Sequence, residues 1–395
     1  MVTTAARESE KATKETVRKF RVGILGATGT VGQRFIQLLE NHPQFNVTAL
    51  AASDRSQGKL YSEACVWRLA GDMPETVRSL RVEAPQPPLE CDFVFSSLPA
   101  DVAHVAEDNF AQAGYPVISN SSAYRLKDDV PLLIPEVNHE HLPLVDAQLR
   151  QSKYQDGGFI VTNPNCSTIV LALALAPLQA RFEVVSVVAT TLQALSGAGY
   201  PGVASLDIAD NVMPFIQDEE EKIERETVKI LGKAKPQGIE DAQILASAQC
   251  HRVNVTDGHL VAARVKFVRS VQLEELREAF SSFTSLPQEL RLYSAPEFPI
   301  ILRDESDRPQ PRLDRDAGRG MAVTVGRLAR DRVLDYRFVA LGHKTIRGAA
   351  GAAILNAELL VAAGICRLNT EKRYGQAEKR KYSRNEIWRH LNGRR

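Results

Sequence analysis

A single cysteine stands where an extended segment of the chain gives way to a predicted helix. Cys166 lies in NPNCST (163–168), between the apolar stretches GGFIV and IVLALALAPL. Peptide dipoles at a helix N-terminus stabilise a thiolate and lower the pKa of a cysteine, and Asn163 or Ser167 could cap this helix. The position predicts either a nucleophile or a small buried residue, which free cysteine often is.

Two histidines and an arginine lie close together in CHRVNVTDGHL (250–260). His251 and His259 are both candidates for a general acid or base, and Arg252 is a candidate for holding an anion. A lone histidine is more often structural or exposed than catalytic. The residues by themselves therefore leave the choice between the two histidines open.

Further charged candidates lie on either side of the cysteine. The segment DEEEKIERETVKIL (218–231) has the pattern of an ordinary surface helix, with an apolar stripe and charge pairs at i,i+4. On that helix Glu219 and Lys222 lie one turn apart, so both could face a ligand. Arg125 ends SNSSAYR (119–125), which follows a predicted strand.

A glycine-rich turn near the start of the chain predicts a dinucleotide site. GATGTVG places three glycines between a short apolar strand and an amphipathic helix. Glycines let the backbone turn sharply and approach a pyrophosphate, and the helix N-terminus supplies free N–H groups. The alternative is a tight turn without a ligand. The predicted contact residues are Gly26, Ala27, Thr28, Gly29, Thr30, Val31 and Gly32.

The loop after the second strand indicates which dinucleotide is bound. An acidic residue there binds the ribose of NAD, whereas an arginine with hydroxyl groups suits the 2′-phosphate of NADP. Ser53, Arg55 and Ser56 surround the single Asp54. The sequence therefore predicts NADP, and the alternative is that these are exposed loop charges.

Two kinds of element must position these residues. Before Cys166, short apolar strands alternate with helices, which predicts an α/β fold with a Rossmann-type doubly wound parallel sheet. Beyond it, longer strands are predicted at 183–195, 259–268, 321–328 and 333–341. Several of them alternate apolar and polar residues, which predicts an α+β catalytic domain with a mixed, largely antiparallel sheet covered by helices on one face.

These patterns divide the chain into a tail and two domains. Residues 1–19 are predicted to be a charged N-terminal tail. Residues 20–165 form the predicted NADP-binding domain, which a C-terminal helix at 345–395 completes. Residues 166–344 form the predicted catalytic domain.

Composition excludes several classes of function. The 395 residues are 44% hydrophobic and 25% charged with a net charge of +1, so no global field favours nucleic acid or an anionic membrane. The apolar runs are too short to span a bilayer, and the N-terminus lacks the apolar core of a signal peptide. The five cysteines are scattered without CxxC spacing, which argues against a disulfide framework or a zinc site and favours a reducing, cytoplasmic compartment.

Six motifs, in order, resemble the aspartate-β-semialdehyde dehydrogenase family. They are GATGTVG, SNSSAYR, NPNCST, TLQALSGAG, EEEKIERETVKIL and HRVNVTDGH, and they span nearly all of the chain beyond residue 20. HRVNVTDGH and RGAAGAA resemble the archaeal and fungal branch more than the bacterial one. The resemblance implies NADPH-dependent conversion of L-4-aspartyl phosphate to L-aspartate 4-semialdehyde and phosphate, on the route to lysine, threonine and methionine. It also implies a homodimer or homotetramer built on the sheet of the second domain.

The resemblance implies a catalytic role for individual residues. Cys166 would be the nucleophile that forms a thioester, and Asn165 would order it. His259, and not His251, would be the general acid/base. Gln193 would position the acyl intermediate.

The resemblance also implies which residues hold the ligands. Arg252 and Glu219 would hold the α-carboxylate and α-amino groups of the substrate, because arginine suits a carboxylate and glutamate suits an ammonium group. Arg125 and Lys222 would hold its phosphate. The residues implied to approach the nicotinamide are Ser97, Leu98, Ser196 and Gly197.

Two other functions stay open. A malonyl-CoA reductase, or another acyl-phosphate or thioester reductase, could use the same scaffold. A CoA thioester lacks an α-amino group, so Glu219 together with Arg252 favours the amino-acid substrate. A non-catalytic NADP-binding sensor would keep the glycine turn but would not need Cys166 and His259.

Overall fold

A computed structural model describes residues 18–150, 154, 157–236 and 238–366. Residues 1–17 of the predicted tail and 367–395 of the predicted C-terminal helix lie outside the described residues. Within the described part, no helix has the length and apolar character needed to cross a membrane.

Six parallel strands form the first sheet. They are β1 (Phe20–Leu25), β2 (Phe45–Ala51), β3 (Val82–Glu83), β4 (Phe93–Ser96), β5 (Pro116–Ser119) and β6 (Phe159–Thr162). Their spatial order is β3-β2-β1-β4-β5-β6, in which the chain changes direction across the sheet between β1 and β4. Ligands of such sheets bind at this switch point, beyond the carboxyl ends of the strands. The predicted Rossmann-type sheet is confirmed.

Helices on both faces bury this sheet. They are α1 (Thr30–Leu39), α2 (Tyr61–Ala64), α3 (Glu75–Arg78), α4 (Ala100–Gln112), α5 (Pro135–Asn138) and α6 (Pro143–Leu149), with a 3₁₀ turn at His139–His141. Every residue of β4, β5 and β6 is buried, as the continuous apolar runs of a parallel strand require. On one face the rings of Phe35 on α1 and Phe95 on β4 stack with centroids 4.6 Å apart.

The second half of the chain forms another six-stranded sheet and a small two-stranded one. The strands are β7 (Val184–Gln193), β8 (Lys233–Lys235), β9 (Gly238–Glu240), β10 (Leu245–Arg252), β11 (His259–Phe267), β12 (Ile300–Leu302), β13 (Val323–Arg330) and β14 (Tyr336–Gly342). The large sheet has the order β10-β7-β11-β14-β13-β12. Its three inner pairs are antiparallel and its two edge pairs are parallel, which confirms the predicted mixed, largely antiparallel sheet.

The remaining helices lie mainly around this second sheet. They are α7 (Cys166–Phe182), α8 (Ser205–Ile208), α9 (Glu219–Ile230), α10 (Leu273–Ser281), α11 (Leu286–Glu289), α12 (Pro311–Asp314) and α13 (Gly351–Ala362), with 3₁₀ turns at Leu195–Ala198 and Ala317–Gly320 and a π-helical turn at Ile346–Ala350. Two of these short helical turns, at Pro311–Asp314 and Ala317–Gly320, lie in the polar segment 303–320. The strand predicted at 333–341 begins only at Tyr336, because the Asp331 carboxylate accepts the N–H groups of Val333 and Leu334 in a turn.

One face of the large second sheet packs on α7, and the other is open. On β11, Val261, Ala263 and Val265 point into the same apolar core as the α7 side chains, while Arg264 between them is exposed. Alternation of this kind is typical of a sheet with one covered face. The open face carries apolar side chains, including Val188 at 42% and Leu245 at 76% exposure.

The last described helix returns to the first sheet. Ile354 and Leu360 of α13 lie in the same buried cluster as Val22 and Ile24 of β1. The π-helical turn that precedes α13 packs against α7, and its Gly348 lies against Cys166 at the start of that helix.

Candidate active site

Asn165 caps the helix that begins at Cys166. Its Oδ1 accepts the N–H groups of Ser167 at 2.8 Å and Thr168 at 3.2 Å. The expectation that Asn163 or Ser167 caps this helix is wrong. Asn163 lies too early in the chain and instead donates from Nδ2 to Asn120 Oδ1 at 2.9 Å.

A buried carboxylate joins the cap to the end of strand β7. Glu219 Oε1 accepts hydrogen bonds from Asn165 Nδ2 at 2.8 Å and from Gln193 Nε2 at 3.0 Å. The structure therefore brings together three predicted site residues. Asn165 caps α7, Gln193 ends β7 and Glu219 begins α9. All three are buried, so their positions are fixed by packing as well as by these bonds.

His259 and Arg252 lie on either side of the peptide at Ala194. Arg252 Nη1 donates to the Ala194 carbonyl at 2.8 Å, and the Ala194 N–H donates to His259 Nδ1 at 3.0 Å. A neutral ring whose Nδ1 accepts carries its proton on Nε2. This Nε2 is buried and has no hydrogen-bond partner among the described residues, so it is available to a ligand.

Gly197 lies against both Arg252 and His259. A Cβ placed on Gly197 would lie 2.4 Å from Arg252 Nη1 and 3.3 Å from His259 Nε2. His251 lies elsewhere, since it follows a buried residue on β10 and its Nδ1 contacts the Thr191 carbonyl at 3.3 Å. The structure therefore brings His259, and not His251, into the same cluster as Arg252.

Glu226 is a site residue that the sequence reasoning missed. Its Oε1 pairs with Arg125 Nη1 at 3.0 Å, and its Oε2 accepts the N–H of Asn165 at 2.6 Å. One buried carboxylate thus connects Arg125 to the residue before the cysteine. The available signal was spacing, because Glu226 is seven residues after Glu219 and shares its face of α9.

Two lysines of α9 differ in their relation to the site. Lys222 is half-buried one turn beyond Glu219, and no hydrogen bond of its side chain joins it to the cluster within the described residues. Lys229 is buried, and its Nζ donates to the backbone carbonyls of Arg125 at 2.7 Å, Lys127 at 2.6 Å and Val130 at 3.0 Å. Lys229 therefore fixes the loop on which Arg125 stands.

Burial dominates the electrostatics of the thiol and the imidazole. It raises the pKa of Cys166 to about 11, with Glu219 adding to the rise and Lys344, Arg125 and Arg252 opposing it. It also lowers the pKa of His259 to about 3, and the charge of Lys344 adds to that effect. The expected lowering of the thiol pKa by the helix N-terminus is therefore wrong for the protein without substrate, in which both groups are neutral at pH 7.

Lys344 is a second residue that the sequence reasoning missed. It is only 8% exposed, follows strand β14, and its backbone N–H donates to Asp257 Oδ1 at 3.1 Å. Its charge influences both Cys166 and His259. Its isolated position just after a predicted strand offered no motif by which to find it.

The glycine turn fits the pyrophosphate of a dinucleotide. Gly26 has a φ of +79°, and a Cβ on Gly32 would lie 2.3 Å from the Gly26 carbonyl oxygen, so side chains at these positions would disrupt the turn. Helix α1 begins after Gly29, which provides no side-chain cap, and its first turn contains no acidic residue. The N–H groups of its first turn are therefore available to phosphate oxygens.

The other predicted cofactor residues differ in exposure and in their hydrogen bonds. Ser53 and Arg55 are exposed at the end of β2, and the N–H of buried Ser56 donates to the Ser53 carbonyl at 2.8 Å. Ser97 Oγ donates to the Leu25 carbonyl at 3.0 Å, and neighbouring Leu98 is buried. Ser196 precedes Gly197, and its buried Oγ has no partner among the described residues.

Two domain models of one known protein family match the chain. The NAD-binding domain of semialdehyde dehydrogenases matches residues 21–144, and the dimerisation domain of the same enzymes matches residues 175–347. The chain belongs to the semialdehyde dehydrogenase family.

Similar proteins of known name narrow this further. The chain is 52% identical over 344 residues to the aspartate-semialdehyde dehydrogenase of Archaeoglobus fulgidus, covering 87% of this chain and 98% of that one. It is 48% identical over 353 residues to the aspartate-semialdehyde dehydrogenase of Schizosaccharomyces pombe, and the match covers 87% of this chain and 99% of the fungal one. A crystal structure of the Candida albicans enzyme with NADP superposes with a TM-score of 0.82 at 42% identity, covering 88% of this chain and all of that one. The resemblance to the archaeal and fungal branch is confirmed.

Proposed function

We propose that the protein is an NADP-dependent aspartate-semialdehyde dehydrogenase that reduces L-4-aspartyl phosphate to L-aspartate 4-semialdehyde and phosphate. The observation that carries the proposal is the position of Glu219, which is bonded to the Asn165 cap of the cysteine helix in a cluster that also contains buried Arg252. The names of the archaeal and fungal relatives support it, as does the NADP in the Candida albicans structure.

The charges of the site fit the charges of this substrate. L-4-aspartyl phosphate has a carboxylate, an ammonium group and a phosphate. Arg252 takes the carboxylate and Glu219 takes the ammonium group, whereas Arg125 and Lys222 hold the phosphate. Arg125 has a buried Nε without a partner among the described residues, so it keeps a donor for an anion although Glu226 already pairs with its Nη1.

The reaction begins with the thiol of Cys166. Its sulfur attacks the acyl carbon, the bond from that carbon to the phosphate oxygen breaks, and the phosphate leaves with the thiol proton. Nε2–H of His259 donates to the acyl oxygen, whose negative charge grows during the attack. The product is a thioester on Cys166 that Gln193 helps to position.

Reduction of the thioester completes the cycle. NADPH, when bound to the glycine turn, supplies a hydride. The carbon–sulfur bond then breaks to release the aldehyde, and the sulfur of Cys166 takes up one proton to return to the thiol. We expect the nicotinamide to contact Ser97, Leu98, Ser196 and Gly197, as the resemblance to the family implies.

Two assays run in parallel test this proposal. The purified full chain is expected to reduce NADP with L-aspartate 4-semialdehyde only when phosphate is present. The same preparation is expected to show no malonyl-CoA-dependent oxidation of NADPH. Turnover with malonyl-CoA but not with the semialdehyde would show that the protein is a malonyl-CoA reductase. No turnover with either substrate would favour the non-catalytic NADP-binding sensor.

The open face of the second sheet supports a homo-oligomer, which we propose to be a dimer or a dimer of dimers. This face carries Val188, Leu192 and Leu245 in exposed positions, and the domain matches the dimerisation model of the family. Leu245→Asp is expected to increase the fraction of monomer in light scattering after size-exclusion chromatography. An unchanged mass would place the interface elsewhere.

We also propose the domain division and the compartment expected from the sequence. Residues 20–165 with 345–395 form the cofactor domain, and residues 166–344 form the catalytic domain, a division that the packing of α13 on the first sheet supports. The five cysteines, all in the described part of the chain, form no disulfide, as in proteins of the reducing cytoplasm, where we place the enzyme.

A further inference from the structure

The turn at Ile346–Ala350 has an unusual hydrogen-bond pattern. The N–H of Gly348 donates to the His343 carbonyl at 2.9 Å, and the N–H of Ala350 donates to the Thr345 carbonyl at 3.1 Å. Each bond spans five residues, which defines a π-helical turn. Such turns are rare and occur frequently at functional sites.

This π turn packs directly against the cysteine. A Cβ placed on Gly348 would lie 2.7 Å from Cys166 Cβ and 3.2 Å from Cys166 Cα, so glycine is required at this contact. The carbonyl of Ala349, the next residue of the turn, accepts a hydrogen bond from Asn163 Nδ2 at 3.4 Å. The turn therefore borders both the thiol-bearing residue and the loop that precedes it.

A fully buried ion pair holds the turn. Arg347 Nη2 lies 2.9 Å from Glu136 Oε2, and neither side chain has any exposed surface. Glu136 belongs to α5, which follows Leu133, whose N–H donates to the Thr162 carbonyl at the end of β6 at 2.9 Å. The pair thus connects the turn on one side of Cys166 with the strand that leads into NPNCST on the other.

This ion pair is a poor source of stability. Removing two charges from water costs several kcal/mol for each ion, by order of magnitude. Beyond the charge contact, Nε and Nη1 of Arg347 and Oε1 of Glu136 have no hydrogen-bond partner among the described residues. Replacing such pairs by apolar residues of similar volume is often neutral or stabilising. Since the pair adds little stability, we expect its contribution to lie in fixing the position of the π turn relative to Cys166.

We propose that Arg347 and Glu136 are a positioning pair that holds the π turn in register, so that Gly348 fixes the orientation of the Cys166 side chain. Neither residue touches the reacting atoms. The pair acts on the rate of the acyl-transfer step and leaves the binding of substrate and cofactor largely unchanged. Its kinetic consequences rest on the function proposed above, whereas the contacts themselves do not.

The test compares the apolar double variant Glu136→Leu/Arg347→Met with the full-length wild type. Its melting temperature is expected to stay within a few degrees of wild type or to rise. Its kcat for phosphate-dependent oxidation of L-aspartate 4-semialdehyde is expected to fall at least tenfold, while KM for NADP and for the semialdehyde changes less than threefold. The rate of Cys166 alkylation by iodoacetamide at fixed pH is expected to change at least threefold.

A matched control distinguishes the effect of an ion pair next to Cys166 from the effect of removing any buried ion pair. Arg21 and Asp92 form a partly buried pair at the start of β1, whereas the cofactor turn follows the other end of this strand. Arg21→Met/Asp92→Leu is expected to lower the melting temperature and to leave kcat and the alkylation rate unchanged.

Wild-type kcat and alkylation in a folded Glu136→Leu/Arg347→Met variant would overturn the proposal. Should that variant fail to fold, Glu136→Gln removes one charge at constant shape and must show the same fall in kcat. A wild-type protein without dehydrogenase activity would refute the proposed function, and the alkylation rates would still decide whether the pair positions Cys166.

Discussion

Asn165 Nδ2 donates a hydrogen bond to Glu219 Oε1 at 2.8 Å, while Asn165 Oδ1 caps the helix that begins at Cys166. One amide therefore sets the position of the cysteine relative to Glu219, the carboxylate that we propose to bind the substrate ammonium group. Gln193 donates to the same oxygen of Glu219. Among the hydrogen bonds of the described residues, Glu219 Oε2 takes part in none, and we expect it to accept from the ammonium group of the substrate.

Asn165→Asp tests this double role. Aspartate keeps an acceptor for the helix cap but replaces the donor with a second carboxylate beside Glu219. Because two adjacent buried carboxylates repel each other, we expect the melting temperature to fall and kcat to fall at least tenfold. Asn165→Ala also removes the cap, which costs about 1 kcal/mol in unfolding free energy. Wild-type kcat in Asn165→Asp would show that the bond to Glu219 is not needed.

Cys166→Ala tests the nucleophile. We expect no detectable turnover, because no thioester can form, and NADPH binding close to wild type in a fluorescence titration. Cys250→Ala is the matched control, since Cys250 is a buried thiol on β10 that the reaction does not use. Loss of NADPH binding in Cys166→Ala would instead mean that the cysteine supports the structure.

Local patterns were sufficient to predict the fold. The glycine turn between an apolar strand and an amphipathic helix depends on residues close in sequence, as does the alternation along β11. Strand ends were less accurate, since the turn at Asp331 that delays β14 depends on side-chain hydrogen bonds with no periodic pattern.

The site was predictable only where its residues stand in motifs. Glu226 and Lys344 acquire their roles from packing between distant segments, as the bond from Glu226 to the N–H of Asn165 shows. The direction of the Cys166 pKa shift was missed for the same reason. A helix N-terminus is visible in sequence, but the burial that outweighs it is a property of the folded chain.

The raised pKa of Cys166 predicts how alkylation depends on pH. The thiolate is the reactive form, and with a pKa of about 11 it makes up about one part in ten thousand at pH 7. In the protein without substrate, the rate with iodoacetamide is therefore expected to rise about tenfold per pH unit from pH 7 to 9. A plateau below pH 8 would contradict the assigned shift.

Lys344→Met is expected to slow this alkylation further. The ammonium group of Lys344 lowers the pKa of Cys166, so its removal raises that pKa and reduces the thiolate fraction at any given pH. Lys266→Met, which removes an exposed lysine from β11, is the control and is expected to have no effect. Equal alkylation rates in Lys344→Met and Lys266→Met would mean that the charge of Lys344 does not act on the Cys166 thiol.

Two glycine substitutions are expected to affect different kinetic constants. Gly197→Ala places a methyl group 2.4 Å from Arg252 Nη1, so the guanidinium must move. We expect KM for L-aspartate 4-semialdehyde to rise at least tenfold. Gly348→Ala displaces Cys166 instead, and we expect kcat to fall with a smaller change in KM. The same kinetic change in both variants would show that the two contacts are not separable.

Arg55→Ala tests the choice of dinucleotide. Arg55 is exposed at the end of β2, next to Ser53 and Ser56, where the 2′-phosphate of NADP would lie. Loss of this cation is expected to raise KM for NADP about tenfold, equivalent to about 1.4 kcal/mol, and to leave KM for NAD unchanged. Lys59→Ala removes another exposed cation of the same loop and serves as the control. If both dinucleotides weaken equally in Arg55→Ala, the arginine does not read the 2′-phosphate, and selectivity must come from the hydroxyl groups of Ser53 and Ser56.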